Sequence, residues 1–451
     1  MRIVIVGDGK MGFALSRHLS GEGHDIVIID SNPGALRLSN NTQDVICLCG
    51  NGVDCEIQKE AGVPGADLLI AVTSKDELNI ICCMIAKKLG ARHTIARVRS
   101  PEYTKTMILM REELGLSLTV NPELAAATEI SRVLRFPSAV KVDFFGKGKV
   151  EMVEFRITGN SPLAGRALRD LEKAFRVRVL VCAVQRDGEV VIPGGDFILR
   201  EGDRISVTAS PADISQFFRN CGLLAQKARS VMVVGGGKTG FYVSRMLADM
   251  GMKVKLLEID PARCEELSEA LPKVMVINGD GSDRETLQEE GIDDTDALVA
   301  LTGLDEENVV VSMYARSRRV GKVITKINHI SFGEILGNAG IDCVITPHLI
   351  AANYILRYVR SMQNSIGSRV EALARIVDGQ AEALEFLAEK GFAGLGKPIR
   401  ELRLKKGLLV ACIIRDNRLI FPGGGDSIQP KDSVIVITTS AGLDGLDDIL
   451  A

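Results

Sequence analysis

The sequence predicts an α/β protein of two doubly wound parallel-sheet domains, each followed by a small α+β domain, so that the chain reads as a tandem A-B-A′-B′ repeat. Three observations carry this. Short β-branched runs alternate with helical patterns over residues 1–138 and again over 229–367, the signature of a parallel sheet covered on both faces. In the stretches that follow, 139–228 and 368–451, the apolar period shortens to two, as in half-buried strands. The first half also recurs in the second at a nearly constant offset, and self-similarity of that kind takes precedence over local reading.

In chain order, Arg2-Ile3-Val4-Ile5-Val6 is an apolar β-run, and Gly7-Asp8-Gly9-Lys10-Met11-Gly12 follows it with the spacing G-x-G-x-x-G. That pattern suits a pyrophosphate-binding turn. The first glycine allows the tight turn, the second lets the backbone approach the ligand, and the third lets the following helix pack on the sheet. A helix from Lys10 to about Leu19 then points its free N–H groups at the phosphate. A second strand, His24 to Ile29, ends on Asp30, 18 residues past Gly12. An acid there suits the two hydroxyls of an adenosine ribose and repels a 2′-phosphate, which favours NAD or an adenine nucleotide over NADP.

The same unit returns 228 residues later. Val231 to Val234 leads into Gly235-Gly236-Gly237-Lys238-Thr239-Gly240, and the next strand ends on Glu258, which follows Asp30 by the same 228 residues. Gly50-Asn51-Gly52-Val53-Asp54 is echoed by Gly279-Asp280-Gly281-Ser282-Asp283, and Asp67 to Thr73 by Asp296 to Thr302. Thr73-x-x-Asp76 and Thr302-x-x-Asp305 fit the helix-capping pattern while also lying at strand ends that face the crevice. Asp54 and Asp283, after the Gly-x-Gly turns, read either as partners of an adenine amino group or as caps of the next helix, and the cap is the better reading. Strands at Thr94 to Val98 and Val323 to Ile327 close each alternation.

In the small domains, Asp187-Gly188 marks a two-residue hairpin. Ile192-Pro193-Gly194-Gly195-Asp196 finds its copy in Phe421-Pro422-Gly423-Gly424-Gly425-Asp426. The segments Pro122 to Leu134 and Pro347 to Val359 are helix-forming. They read either as core helices of their own domains or as crossover helices that swap to a neighbour.

Composition removes several function classes. The 55 basic residues nearly balance the 58 acidic ones, which gives no electrostatic footprint for nucleic acid. No apolar run approaches the roughly 18 residues of a membrane span, and the β-run begins at Met1, which predicts no leader and a cytoplasmic protein. Ten cysteines without C-x-x-C read as small buried hydrophobes. The five histidines, His18, His24, His93, His329 and His348, form no catalytic set, and none falls in the small domains. A hydride-transferring enzyme needs an acid/base beside its nicotinamide. A P-loop is also excluded, because Gly237-Lys238-Thr239 is preceded at the required position by Met232. Binding without turnover is the simpler reading, with a soluble NAD-dependent oxidoreductase, or a redox-sensing module lacking a membrane partner, as its alternatives. Lys10 and Lys238 stand at equivalent places after the second glycine. Each is read either as a point charge on a bound phosphate or as a solvated loop lysine.

These motifs together, with Thr73-x-x-Asp76-Glu77-x-Asn79 and the Pro-Gly-Gly strands, closely resemble the TrkA family of tandem regulator-of-conductance (RCK, or KTN) repeats, and the likeness spans nearly all of the chain. The resemblance implies two Rossmann-like domains that bind NAD(H), with ATP or ADP at the same sites. It further implies a homo-oligomeric ring, peripheral on the inner face of the cell membrane, which regulates a Trk-type potassium-translocating membrane subunit through nucleotide-dependent rearrangement. By position, the implied nucleotide contacts are Gly7, Gly9, Lys10, Met11, Gly12, Asp30, Asn51, Thr73 and Arg97 in the first half. In the second they are Gly235, Gly237, Lys238, Thr239, Gly240, Glu258, Asp280 and Thr302. Lys326 stands where Arg97 does. In related rings a basic residue after the second glycine meets phosphate across a subunit interface, which favours the phosphate reading of Lys10 and Lys238.

Overall fold

The computed structural model describes the chain except for residues 104–109, 112, 136–138, 224–227, 329–340, 342, 365–369, 378, 440–442 and 444. The expected junctions near 138 and 367, and His329, lie outside the described residues.

The first sheet comprises β1 (Arg2–Val6), β2 (Asp25–Asp30), β3 (Ile46–Cys49), β4 (Leu68–Ala71), β5 (His93–Arg97) and β6 (Leu118–Val120) in the order β3-β2-β1-β4-β5-β6. Every pairing is parallel. The order reverses between β1 and β4, and that is the point at which open α/β sheets present their ligand crevice. Its helices are α1 (Lys10–Gly21), α2 (Pro33–Thr42), α3 (Cys55–Glu60), α4 (Asp76–Leu89) and α5 (Pro122–Arg135). Val4, Val6, Leu69 and Ala71 pack on Cys82, Cys83 and Ala86 of α4 in one buried cluster. Local chemistry sets the boundaries. Asn32 caps α2 through its side chain ahead of Pro33, and Gly90 ends α4 at φ 112°.

The small sheet that follows is antiparallel. It contains β7 (Ala139–Phe145), β8 (Val150–Arg156), β9 (Leu180–Arg186), β10 (Glu189–Val191) and β11 (Arg204–Ala209), ordered β10-β9-β11-β8-β7, with helices α6 (Leu171–Phe175) and α7 (Pro211–Asn220). Asp187 and Gly188 both adopt positive φ, as a two-residue hairpin turn requires.

Both arrangements recur. Strands β12 (Ser230–Val234), β13 (Lys253–Glu258), β14 (Met275–Asn278), β15 (Ala297–Ala300), β16 (Lys322–Lys326) and β17 (Val344–Ile345) form a parallel sheet in the order β14-β13-β12-β15-β16-β17. Its helices are α8 (Lys238–Asp249), α9 (Pro261–Ala270), α10 (Arg284–Glu289), α11 (Asp305–Ser317) and α12 (Pro347–Asn364). The last sheet has β18 (Val370–Ile376), β19 (Ala381–Leu387), β20 (Leu408–Arg415), β21 (Arg418–Ile420) and β22 (Ser433–Thr438), ordered β18-β19-β22-β20-β21. The tandem fold class is as the sequence predicts.

Two compact units result. One joins Met1–Ile130 with Ser230–Leu356, and the other joins Ser131–Arg229 with Arg357–Ala451. The unit boundaries fall within helices α5 and α12. Within the first unit, Asn121 Nδ2 donates to the hydroxyl of the buried Tyr242 at 3.1 Å, which ties the first parallel-sheet domain to α8. Within the second, the two small sheets share one apolar cluster that includes Phe145, Met152, Ile376 and Ile437. Buried carboxylates cross it reciprocally. Gly146 N donates to Glu385 Oε2 at 3.0 Å, and Val377 N donates to Glu154 Oε1 at 3.1 Å. Among the described residues no helix is long and apolar enough to cross a membrane.

The cysteine expectation needs correction. All ten thiols are free, and Cys82, Cys83, Cys182 and Cys412 are buried, but Cys49 and Cys55 are exposed. Cys49 ends the edge strand β3 and Cys55 opens the short α3, the periphery of the first parallel-sheet domain.

Candidate functional site

Each parallel-sheet domain builds the same turn at the C-terminal end of its first strand. Gly7 leaves β1 at φ 102°, where a Cβ would lie 3.0 Å from Thr73 N. A Cβ on Gly12 would lie 1.9 Å from Gly7 O, so α1 approaches the strand at a distance only glycine permits. The second turn repeats this. Gly235 has φ 104°, and a Cβ on Gly240 would lie 2.0 Å from Gly235 O. Gly9 and Gly237 are the N-caps of α1 and α8, and neither helix has a capping side chain or an acid in its first turn. Both helix N-termini therefore keep free N–H groups, the requirement for holding a phosphate. Lys10 and Lys238 are exposed at the first helical position of each.

Asp30 and Glu258 sit beside the turns and brace them. Asp30 Oδ2 accepts from Asp8 N at 2.7 Å and Oδ1 from Asn32 N at 2.8 Å. Glu258 Oε2 accepts from Gly236 N at 2.6 Å and Oε1 from Asp260 N at 3.0 Å. Each carboxylate thus links the glycine turn to the start of the next helix. Asn51 and Asp280 hold the neighbouring turns, accepting from Val53 N at 3.2 Å and Ser282 N at 2.8 Å. Asp54 and Asp283 cap α3 and α10, accepting from Glu56 N and Thr286 N, both at 2.8 Å.

Thr73 and Thr302 do not cap the helices that follow them. The N-cap residues of α4 and α11 are Lys75 and Leu304, with no side-chain cap. Asp76, at the first position of α4, instead accepts from Arg99 N and Ser100 N, both at 2.8 Å. Asp305 accepts from Asn328 N at 2.9 Å. Capping fails because each acid finds a nearer partner on the loop after β5 or β16, an encounter that the three-residue spacing does not encode.

The threonines belong to a bridge that sequence reasoning left without a role. Asn79 is fully buried, and its Oδ1 accepts from Thr73 N at 2.8 Å and Thr73 Oγ1 at 2.7 Å, while its Nδ2 donates to Arg97 O at 2.9 Å. Asn308 does the same between Thr302 N, at 2.8 Å, and Lys326 O, at 3.1 Å. The signal available was the matched T-x-x-D-E-x-N spacing in both halves.

Within the first unit a cavity of about 270 Å³ brings Gly9, Lys10, Met11 and Arg97 together with Thr239 of the second turn and with Lys326. Asp30, Asn51, Glu258 and Asp280 do not line it. Burial lowers the pKa of Arg97, with Arg99 adding to the effect and Glu123 and Asp76 opposing it. Burial also lowers that of Lys326, with Asp305 and Glu123 opposing. Arg97 Nε is buried without a hydrogen-bond partner among the described residues, as is Glu123 Oε2. Burial pushes the Glu123 carboxyl up, against the pull of Arg97, Arg99 and Lys238. Glu123, Asn328 and His348 also line the cavity. Glu123 and Asn328 escaped the sequence reading because they sit at a helix start and in a loop without a motif, and His348 entered it only as one of five scattered histidines. The arrangement offers converging cations and free amide N–H groups, which is chemistry for binding phosphates.

The TrkA-N domain family matches residues 3–122 and 231–347, and the TrkA-C domain family matches 152–222 and 393–451. The Trk system potassium uptake protein TrkA homolog 2 of Methanosarcina mazei is 32% identical over 460 residues, covering 100% of each chain. Among solved structures, the GsuK channel bound to NAD aligns with a TM-score of 0.63 at 18% identity, covering 97% of this chain and 77% of that one. GsuK bound to ADP aligns with a TM-score of 0.50 at 16% identity, covering 80% and 69%. At these identities the structural likeness bears on the fold.

Proposed function

The chain belongs to the TrkA family of Trk system potassium uptake proteins, and on that premise we propose that it is a nucleotide-sensing regulatory subunit, peripheral on the cytoplasmic face of the membrane. Its partner is a Trk-type potassium-translocating membrane subunit, and copies of the chain assemble into a ring beneath it. The ligands are NAD(H) and, at the same turns, ATP or ADP. The first site uses Gly7, Gly9, Lys10, Met11, Gly12, Asp30, Asn51, Thr73 and Arg97. The second uses Gly235, Gly237, Lys238, Thr239, Gly240, Glu258, Asp280 and Thr302. The four domains divide near residues 138, 228 and 367.

One observation carries this reading. Two uncapped helix N-termini, each behind a glycine turn braced by an acid, belong to the same compact unit as the cavity that gathers Lys10, Arg97, Thr239 and Lys326. Pyrophosphate fits at the turns and the ribose fits at Asp30 or Glu258. A ligand that extends further phosphates into the cavity engages cations from both halves, whereas one that stops at the turn does not. Ligands that differ in this way bind two arrangements of the halves with different affinity, and they shift the equilibrium only by that difference. No bond is broken in this mechanism, and the chain acts as a regulator rather than an enzyme.

Calorimetry of the full chain with NADH and with ATP tests the reading, alongside Asp30→Ala and Glu258→Ala. Each variant weakens binding at its own turn and leaves the other turn occupied. Wild-type protein that binds neither nucleotide, or variants that bind both as tightly as wild type, would overturn the assignment. Co-purification with a Trk-type membrane subunit tests the partner, and failure of the two to associate removes the transport role.

A further inference from the structure

The two glycine turns differ at one buried position. Between the first two glycines stands Asp8 in the first turn and Gly236 in the second. Asp8 is only 6% exposed. The Ser39 hydroxyl of α2 donates to its Oδ1 at 3.0 Å, and its Oδ2 is buried with no hydrogen-bond partner among the described residues. In α9 the position of Ser39 is taken by Leu267, and a Cβ on Gly236 would lie 2.5 Å from Leu267 Cδ1 and 2.8 Å from Glu258 Oε2. Both members of the pair have changed together, from a carboxyl and a hydroxyl to a bare backbone and a methyl. Closure of the turn does not require the acid, because Gly236 N reaches Glu258 just as Asp8 N reaches Asp30.

We propose that Asp8 couples nucleotide binding at the first turn to uptake of a proton, and that the second turn, built with Gly236 and Leu267, binds its nucleotide without that coupling. This rests on the reading that both turns hold nucleotides. The groups that act on the Asp8 carboxyl are Asp30 at the end of β2 and Ser39 on α2, and the carboxylate in turn raises the pKa of the Cys47 thiol on β3. Burial raises its pKa to about 6, Asp30 pushes in the same direction, and the Ser39 hydrogen bond opposes. A nucleotide with its ribose at Asp30 removes water from the turn and brings pyrophosphate charge to it, and both effects disfavour a second ionised carboxylate. Because Oδ2 is closed off from solvent, a ribose hydroxyl does not reach it to favour the charged form. The complex therefore keeps the proton to higher pH than the free chain. Affinity is level where both forms are protonated and falls as pH rises through the interval between the two pKa values, about tenfold for each unit that separates them.

NAD is the probe, because its pyrophosphate does not titrate between pH 5 and 8. Calorimetry of the full chain across that range, in two buffers of different ionisation enthalpy, counts the protons exchanged. We expect one site to take up a proton and to weaken several-fold between pH 5.5 and pH 8. Asp8→Asn, which keeps the side-chain shape, and Asp8→Gly with Ser39→Leu both abolish the linkage while NAD still binds. Gly236→Asp with Leu267→Ser confers it on the second turn. An unchanged pH dependence in Asp8→Asn, or tighter first-site binding as pH rises, overturns the proposal while leaving the nucleotide sites intact. Wild-type protein that binds no NAD at any pH overturns the nucleotide reading and this inference with it.

Discussion

Replacing Asn79 with alanine tests the bridge that holds the end of β4 to the end of β5. The wild-type side chain is fully buried and makes short hydrogen bonds to Thr73 N, Thr73 Oγ1 and Arg97 O, at 2.8, 2.7 and 2.9 Å. Alanine orphans the Thr73 N–H and the Arg97 carbonyl, whereas the Thr73 hydroxyl retains Lys75 O at 3.3 Å. Two part-buried polar groups left unsatisfied cost about 1–3 kcal/mol each, and water entering the vacated space recovers part of that, for a net loss of about 2–4 kcal/mol. In a unit of this size such a loss lowers the melting temperature by roughly 5–15 °C. Differential scanning calorimetry reads the shift in the transition of the first unit, with Asn308→Ala as the matched substitution in the second half. Because the bridge also fixes the backbone that carries Arg97, ATP affinity falls together with stability. A melting temperature within about 1 °C of wild type would show that the bridge is dispensable and that the strand ends are held by other contacts.

Further expectations follow from the same geometry. Gly12→Ala sets a methyl 1.9 Å from Gly7 O, so α1 must move away from the strand, at about 1–3 kcal/mol and with loss of nucleotide at the first site; equal stability and affinity in calorimetry would refute the close-approach argument. Asp8→Asn stabilises the chain at neutral pH. The folded pKa of Asp8 is raised from 3.8 to about 6, so wild type carries a penalty that grows from pH ~4 to pH ~6, reaches about 1–3 kcal/mol above that, and vanishes below pH ~4. Urea denaturation at pH 7.5 and at pH 4 checks the sign. Thiol labelling of the native chain reaches Cys49 and Cys55 first, whereas Cys82 and Cys412, buried and pushed up to about 12, react only after unfolding; mass spectrometry of labelled peptides reads the order. Lys10→Ala weakens ATP binding and reduces its salt dependence, and an unchanged salt slope would return Lys10 to the role of a solvated loop residue.

What the sequence determined by itself is local or repeated. A glycine that must turn at φ 102°, or let a helix come so close that an added Cβ would lie 1.9 Å from a carbonyl oxygen, has no substitute, so Gly7 and Gly12 are legible without coordinates, and their copies at Gly235 and Gly240 repeat the same geometry. Asp54 and Asp283 act as caps over two or three residues, within the reach of a pattern. Tertiary structure decided whatever joins residues distant along the chain. Asp76 has the spacing of a capping residue, yet its carboxylate is claimed by backbone N–H groups at Arg99 and Ser100, because the loop after β5 passes over the start of α4. Asn79 reads as one polar residue in a helix until β4 and β5 are laid side by side. Arg97, Glu123 and Lys326 acquire perturbed ionisation only in the folded chain, where burial dominates and charges distant in sequence act through space, Glu123 and Lys10 on Lys326 among them. The Asp8 and Ser39 pair lies in the same category. Its members are 31 residues apart and carry no motif, and only the fold of α2 against the first glycine turn makes the Asp8 carboxyl a buried group with one partner hydroxyl.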